Sequence, residues 1–276
     1  MNEKTLEIKD LVVVYPGKKH DPGFKAVSGV SLDIRPGEVV GIVGESGSGK
    51  STVGRAIVGL APVTSGQILL DNNPIELKTI ADRQKLAKKV QMVFQDPYSS
   101  LNPTMSIEEI LSEPLIAGGL GKVDAHHQIA NLLDAVELPR TSLSKLPREF
   151  SGGQRQRIAI ARALSMKPEL IICDEPVSAL DLTTQAVVLD LLLQIQRETK
   201  VSYLFISHDL SVVRYMSHRI AVMKSGEIVE FGDSDQVSNR PAHPYSIRLQ
   251  VSTLVADPDE QSKRREIRLA HKDVNV

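Results

Sequence analysis

The eight residues "GESGSGKS" at 44–51 decide how the rest of the chain is read. They fit the pattern G-x-x-x-x-G-K-[ST]. A short β-branched run, "EVVGIVG" (38–44), leads in, and "KSTVGRAIVGL" (50–60) leads out with the composition of a helix. Strand, glycine-rich turn and helix in that order make a phosphate cradle. Gly44, Gly47 and Gly49, with Glu45, Ser46 and Ser48 between them, let backbone N–H groups close around a β-phosphate. Lys50 is suited to bridge the β- and γ-phosphates, and the Ser51 hydroxyl to ligate Mg²⁺.

Outward from that loop the chain alternates strand and helix. Strands are predicted at "LEIKDLVVVY" (6–15), "KAVSGVSLDI" (25–34), "QMVF" (91–94), "ELIICDEP" (169–176) and "VSYLFISHD" (201–209), and a helix at "TTQAVVLDLLLQIQRET" (183–199). Between Ile107 and about Leu164 the apolar spacing is helical, broken by "AGGLG" and by Pro139 and Pro147. This is an α/β chain with a parallel sheet and a helical insertion. The last twenty residues are rich in charge and read as a frayed tail.

The partners of phosphoryl chemistry fall at strand ends, the edge where an open parallel sheet binds ligands. Asp174 and Glu175 close "LIICDEP". Asp174 is suited to Mg²⁺, and Glu175 to orienting or deprotonating an attacking water. Alone, Asp174 could also be a strand-terminating turn residue and Glu175 a solvated carboxylate, the less favoured reading, and the cradle upstream weighs further against it. His208 ends another strand, where its N–H could meet a γ-phosphate; a lone histidine is more often structural. Gln95 follows "QMVF" and could reach Mg²⁺ or water through its amide oxygen. Cys173 reads as a small core residue, and His126 and His127 as surface.

A second cradle, "FSGGQRQR" (150–157), is surplus to a one-site hydrolase. Ser151, Gly152, Gly153 and Gln154 could form a Ser-capped helix start with glycines for close packing, or bind phosphate. No second lysine-bearing loop exists in the chain, so a phosphate bound there would belong to a second chain docked head to tail.

Composition bounds these readings. The chain has 276 residues, 41% hydrophobic and 24% charged, with 33 Lys plus Arg against 34 Asp plus Glu. A near-neutral balance offers no attraction for nucleic acid. The start, "MNEKTLEIKD", lacks the apolar core of a secretory signal, and no run is long enough to cross a membrane. One cysteine excludes an internal disulfide or a cysteine-held cluster. The expectation is a cytosolic protein whose membrane part, if any, is another chain.

Walker A at 44–51, Gln95, "SGGQ" at 151–154, "LIICDEP", "SALD" at 178–181 and His208 occur in the order found in ATP-binding-cassette ATPases. The sequence resembles that family over roughly residues 5–255. The resemblance implies a P-loop NTPase with a mixed or parallel sheet core, an antiparallel β subdomain and a helical subdomain at about 98–165. It implies an ATPase domain over 1–235, with a C-terminal extension and tail over 236–276. It further implies a sandwich dimer in which Lys50, Ser51 and Thr52 of one subunit and Ser151, Gly152, Gly153 and Gln154 of the other close on one ATP. Asp181 would cross the interface, and Tyr15 would stack on adenine, although a strand-end core tyrosine would look the same. The signature opens with Phe150 in place of the usual leucine, a residue expected to pack beneath the loop.

"VFQDPYSSLNPTMSIEEILSEPL" (93–115), "CDEPVSALD" and "PAHPYS" (241–246) are similar to the peptide and nickel importer ATPases, and within them to the second, F-type ATPase of a heterodimeric pair. That likeness implies a partner ATPase, two permease subunits and an extracytoplasmic solute-binding protein, with this chain on the cytoplasmic face of the cell membrane. The region after Gln95 would receive a coupling helix. Some relatives bind an iron–sulfur cluster through C-terminal cysteines; none follows Cys173, so no cluster is expected. An exporter ATPase would share every catalytic residue, and a non-transport cassette is the more distant alternative.

Overall fold

Each central strand buries both of its faces, which is why it reads as an unbroken apolar run rather than an alternating one. In the computed structural model, which describes residues 4–17 and 23–252, the strand before the P-loop is β3 (Val39–Val43), buried throughout. Its Val39 and Val43 point into one core and its Val40 and Ile42 into another. The same split recurs in β7 (Leu170–Asp174) and β8 (Ser202–Ser207). Ile171, Cys173, Tyr203 and Phe205 face the first core, whereas Leu170, Ile172, Leu204 and Ile206 face the second.

These strands form a six-stranded sheet in the order β10-β9-β3-β8-β7-β6, where β6 is Val90–Val93, β9 Arg219–Lys224 and β10 Glu227–Asp233. All neighbours are parallel except β9 and β10, a hairpin that turns at Ser225 and Gly226, both with positive φ. A two-residue turn with φ > 0 at both positions matches the twist of the strands it joins. A second sheet, antiparallel, has the order β2-β1-β4-β5, from β1 (Leu6–Tyr15), β2 (Phe24–Ile34), β4 (Val63–Leu70) and β5 (Asn73–Pro74). The second core lies between this sheet, α1 (Lys50–Ile57) and the six-stranded sheet.

The first core lies under the helical insertion. It runs from α3 (Ile107–Ala117) and α4 (Lys122–Ala135), through 3-10 turns at Arg140–Ser142 and Pro147–Glu149, to α5 (Gly152–Leu164). The interruptions fall where glycine and proline punctuate the sequence. α2 (Ile80–Lys89) and α3 both start with reciprocal capping boxes, Thr79 with Asp82 and Ser106 with Glu109. α6 (Leu182–Thr199) and α7 (Leu210–Met216) cover the same face of the sheet. α8 (Ser234–Asn239) and α9 (Pro244–Ser252) follow β10, and Val237 and Tyr245 reach into the first core. The predicted frayed tail lies outside the described residues. Among the described residues, no helix is long and apolar enough to cross a membrane.

Candidate active site

The P-loop leaves β3 at Gly44 and re-enters regular structure at Lys50. Gly49 has φ 102°, and a Cβ there would stand 2.3 Å from the carbonyl oxygen of Ala26 on β2, so only glycine fits. No side chain caps α1. The N–H groups of its first turn therefore face the cleft as an anion site. Lys50 is buried, and its Nζ donates to the carbonyl oxygens of Gly44 and Glu45, each at 2.8 Å. Burial lowers its pKa, against the opposing pull of Glu175, Asp174 and Glu45.

Ser51 donates from Oγ to Asp174 Oδ1 at 2.6 Å. Asp174 ends β7 only 2% exposed, and burial raises its pKa above the usual aspartate value. A hydroxyl and a buried carboxylate in contact are the hard oxygen donors that Mg²⁺ takes, so the donor set fits that ion. Cys173, one residue earlier, is fully buried; desolvation pushes its thiol up to about 12, and it has no place in the chemistry.

Glu175 is held by its N–H, which donates to Ile206 O on β8 at 2.9 Å. Its Oε2 accepts from Gln95 Nε2 at 3.2 Å and lies 3.1 Å from His208 Nδ1. Residues from three strand ends, 80 and 33 positions apart from Glu175 in sequence, thus meet on one carboxylate oxygen. They border a cleft of about 740 Å³ together with Glu45, Ser46, Gly47, Gly49, Lys50, Ser51 and Thr52.

Tyr15 is not among the residues lining this cleft. It is half-buried and packs against the second core. The ring that does line the cleft is Phe24, its cross-strand neighbour, which is largely exposed. Sequence reasoning also missed Ala26, Leu249 and Ser252 on the cleft wall. The helical spacing of α9 after "HPYS" was the available signal for the last two.

Ser151–Gln154 and Asp181 lie outside the cleft and form a cluster of their own. Ser151 caps α5 in a reciprocal box with Gln154: its Oγ accepts from the Gln154 N–H, and Gln154 Oε1 accepts from the Ser151 N–H. Asp181 caps α6, accepting from Thr184 N at 3.0 Å and Thr184 Oγ1 at 2.7 Å, which holds its carboxyl below the usual range. Gly153 rests on Thr184, where a Cβ would approach Cγ2 to 2.2 Å. The Arg155 guanidinium stacks on the Tyr98 ring at 4.3 Å and ties the segment after Gln95 to α5. Phe150 is buried in the first core beneath the loop, as expected. His126 sits on the surface, paired with Glu108 at 2.8 Å.

Comparison with known proteins agrees with this geometry. The family profile described as ABC transporter matches residues 27–178. The oligopeptide transport ATP-binding protein OppF of Lactococcus lactis subsp. lactis (strain IL1403) is 46% identical over 272 residues, 96% of this chain and 85% of that one. OppF of Streptococcus pyogenes serotype M1 is 46% identical over 277 residues, covering 99% and 89%. Among solved structures, cbiO1 from Clostridium perfringens, described as part of the ABC transporter complex cbiONQ, superposes with TM-score 0.76 at 29% identity, covering 87% of this chain and 92% of that one. The dimeric ATP-binding cassette MJ0796 bound to ADP and Pi superposes with TM-score 0.73 at 31% identity, covering 83% and 98%. The matched profile and the relatives, together with the 44–51 loop between β3 and α1 and the Asp–Glu pair at the end of β7, place the chain in the ABC transporter family as an ATP-hydrolysing domain.

Proposed function

We propose that this chain is one of two ATPase subunits powering an importer of peptides, in the position that OppF occupies among its relatives. The observation that carries the reading is the meeting of Gln95 and His208 on Glu175 beside an intact P-loop, in a chain 46% identical to OppF over nearly its whole length.

ATP enters with its phosphates on the N–H groups of the P-loop and α1. Lys50 moves from the Gly44 and Glu45 carbonyls to the β- and γ-phosphates, and Thr52 adds a contact at the helix start. Mg²⁺, held by Ser51, Asp174 and Gln95, supplies charge neutralisation on the phosphates when bound. Glu175 takes the proton of the attacking water on its carboxylate, and His208 donates an N–H to the charge developing on the γ-phosphate. Gln95 reads the outcome, since the contact it makes with Glu175 changes once the γ-phosphate has left.

Ser151, Gly152, Gly153, Gln154 and Asp181 complete the nucleotide site of a second, partner ATPase. Their separation from the chain's own cleft supports that assignment. A groove of about 480 Å³ beside the segment after Gln95, bordered by Leu60, Phe94, Pro114 and Met166, suits an amphipathic coupling helix of a permease. In this reading the ATPase domain spans 1–235, and the extension that begins at 236 packs back onto it through Val237 and Tyr245. Two permeases hold the chain at the cytoplasmic membrane face, and a solute-binding protein delivers the peptide.

The test is purification from detergent-solubilised native membranes, followed by peptide uptake in a strain carrying Glu175→Gln. Recovery of a second cassette ATPase and two multi-span proteins, with peptide uptake abolished by the variant, supports the proposal. Recovery of ribosomal proteins, or uptake that survives the variant, overturns it.

A further inference from the structure

The C-terminal helix α9 is built into the nucleotide site rather than appended to the domain. Tyr245 is 3% exposed, and its hydroxyl accepts a hydrogen bond at 3.1 Å from the backbone N–H of Glu45, the first P-loop residue after Gly44. The carbonyl of that same Glu45 accepts from Lys50 Nζ at 2.8 Å. One peptide unit on each side of Glu45 is therefore pinned, by α9 on one side and by the phosphate-binding lysine on the other. Leu249 and Ser252, four and seven residues after Tyr245, line the cleft itself, so one stripe of α9 faces the site.

The helix is held in place independently of nucleotide. Glu230 on β10 accepts from the N–H groups of Ala242 and His243 at 2.8 and 3.1 Å, and His243 Nδ1 accepts from the Tyr245 N–H at 3.1 Å. The Lys224 ammonium lies 5.4 Å from the centre of the Tyr245 ring. The tyrosine therefore reaches the P-loop from a fixed base, across 200 positions of sequence.

We propose that Tyr245 is a positioning residue for the P-loop: its hydroxyl fixes the Glu45 peptide, and through it the resting place of Lys50, so that this residue sets ATP affinity without itself lining the cleft. This rests on the cleft being the ATP site. The test is Tyr245→Phe in the full chain, which keeps the ring and its packing and removes only the hydroxyl. ATP affinity, hydrogen exchange of the P-loop amides and thermal melting are measured side by side. An ATP Kd raised roughly 2- to 10-fold is expected, the size of one weakened phosphate contact. Faster exchange at the Glu45 amide is expected with it, and a melting temperature close to that of the native chain. Unchanged Kd and exchange overturn the proposal. So does a Kd that rises only in step with a large fall in melting temperature, which is the behaviour of a plain packing residue. Lys50→Ala is run alongside: if it leaves ATP binding intact, the ATP site itself is misassigned, a failure distinct from that of Tyr245.

Discussion

Glu175 carries its carboxylate on a backbone that disfavours it. Its φ of 48° is left-handed, a conformation that costs a side-chain-bearing residue roughly 1–2 kcal/mol. The turn is held by the bond from its N–H to Ile206, and it brings the carboxylate within reach of Gln95 and His208. Glu175→Gln keeps the shape and the left-handed turn but cannot take a proton. ATP should still bind, while steady-state hydrolysis falls by about 10²–10⁴-fold; near-native phosphate release would refute the role given to Glu175. Its neighbour Asp174 makes a different compromise, a carboxyl only 2% exposed at the end of β7. Because burial raises its native pKa above the unfolded value, the native state takes up this proton first on acidification. Through this residue the nucleotide-free protein is most stable below the ordinary aspartate pKa, and loses that stability as pH rises through the native value. Asp174→Asn, which can still accept from Ser51, should remove this pH dependence. It should also raise the melting temperature at pH 7, while abolishing Mg²⁺-dependent hydrolysis. A lower melting temperature would show that the buried charge is a net stabiliser.

At the scale of elements, α5 and α6 meet where Gly153 lies on Thr184, and that contact aligns both helix starts. Gly153→Ala places a methyl where Thr184 Cγ2 stands 2.2 Å away, so the two N-caps, Ser151 and Asp181, must part. Overpacking of this kind costs typically 1–3 kcal/mol, read by thermal or denaturant unfolding, and Thr184→Ser in the same chain should recover part of it. The strands that frame the cleft were legible because each is an apolar run with a chemical group at its end: β3 before the P-loop, β7 before Asp174 and β8 before His208. The hairpin of β9 and β10 was not, since "RIAVMK" carries charge at both ends and "EIVEFGD" alternates weakly. β4 was missed for a related reason, being exposed over its first five residues. Tyr15 illustrates a different limit. The sequence shows an aromatic at a strand end, but which of Tyr15 and Phe24 borders the cleft depends on the register of β1 against β2, a tertiary fact. Phe24→Ala should accordingly weaken ATP binding more than Tyr15→Ala does, whereas Tyr15→Ala should cost more in melting temperature. The reverse ranking, by titration and melting, would favour base stacking by Tyr15.

On the scale of the whole molecule, the cleft and the groove proposed for a permease helix are separate surfaces that meet at the end of β6, where Phe94 borders the groove and Gln95 the cleft. Leu60, 60% exposed on the rim of the groove, is an apolar side chain facing water in the isolated chain. Leu60→Asp should leave ATP affinity and melting near native values yet sharply reduce recovery of the permease subunits in a membrane pull-down. Undiminished recovery would move the docking surface elsewhere. The wall that α9 contributes was the least legible part of the site, because nothing local ties Tyr245 to a loop two hundred residues earlier. The topology of the sheet carries a consequence for biosynthesis as well. β3 lies between β8 and β9, and Val39 pairs with Tyr203, 164 residues further along the chain. On the ribosome the P-loop strand therefore emerges long before either of its flanking strands exists, and waits unpaired through most of translation. The cleft is complete only once His208 after β8 and Leu249 and Ser252 of α9 have been made, and until then the apolar β3 is an unpaired strand of the kind that invites aggregation during synthesis.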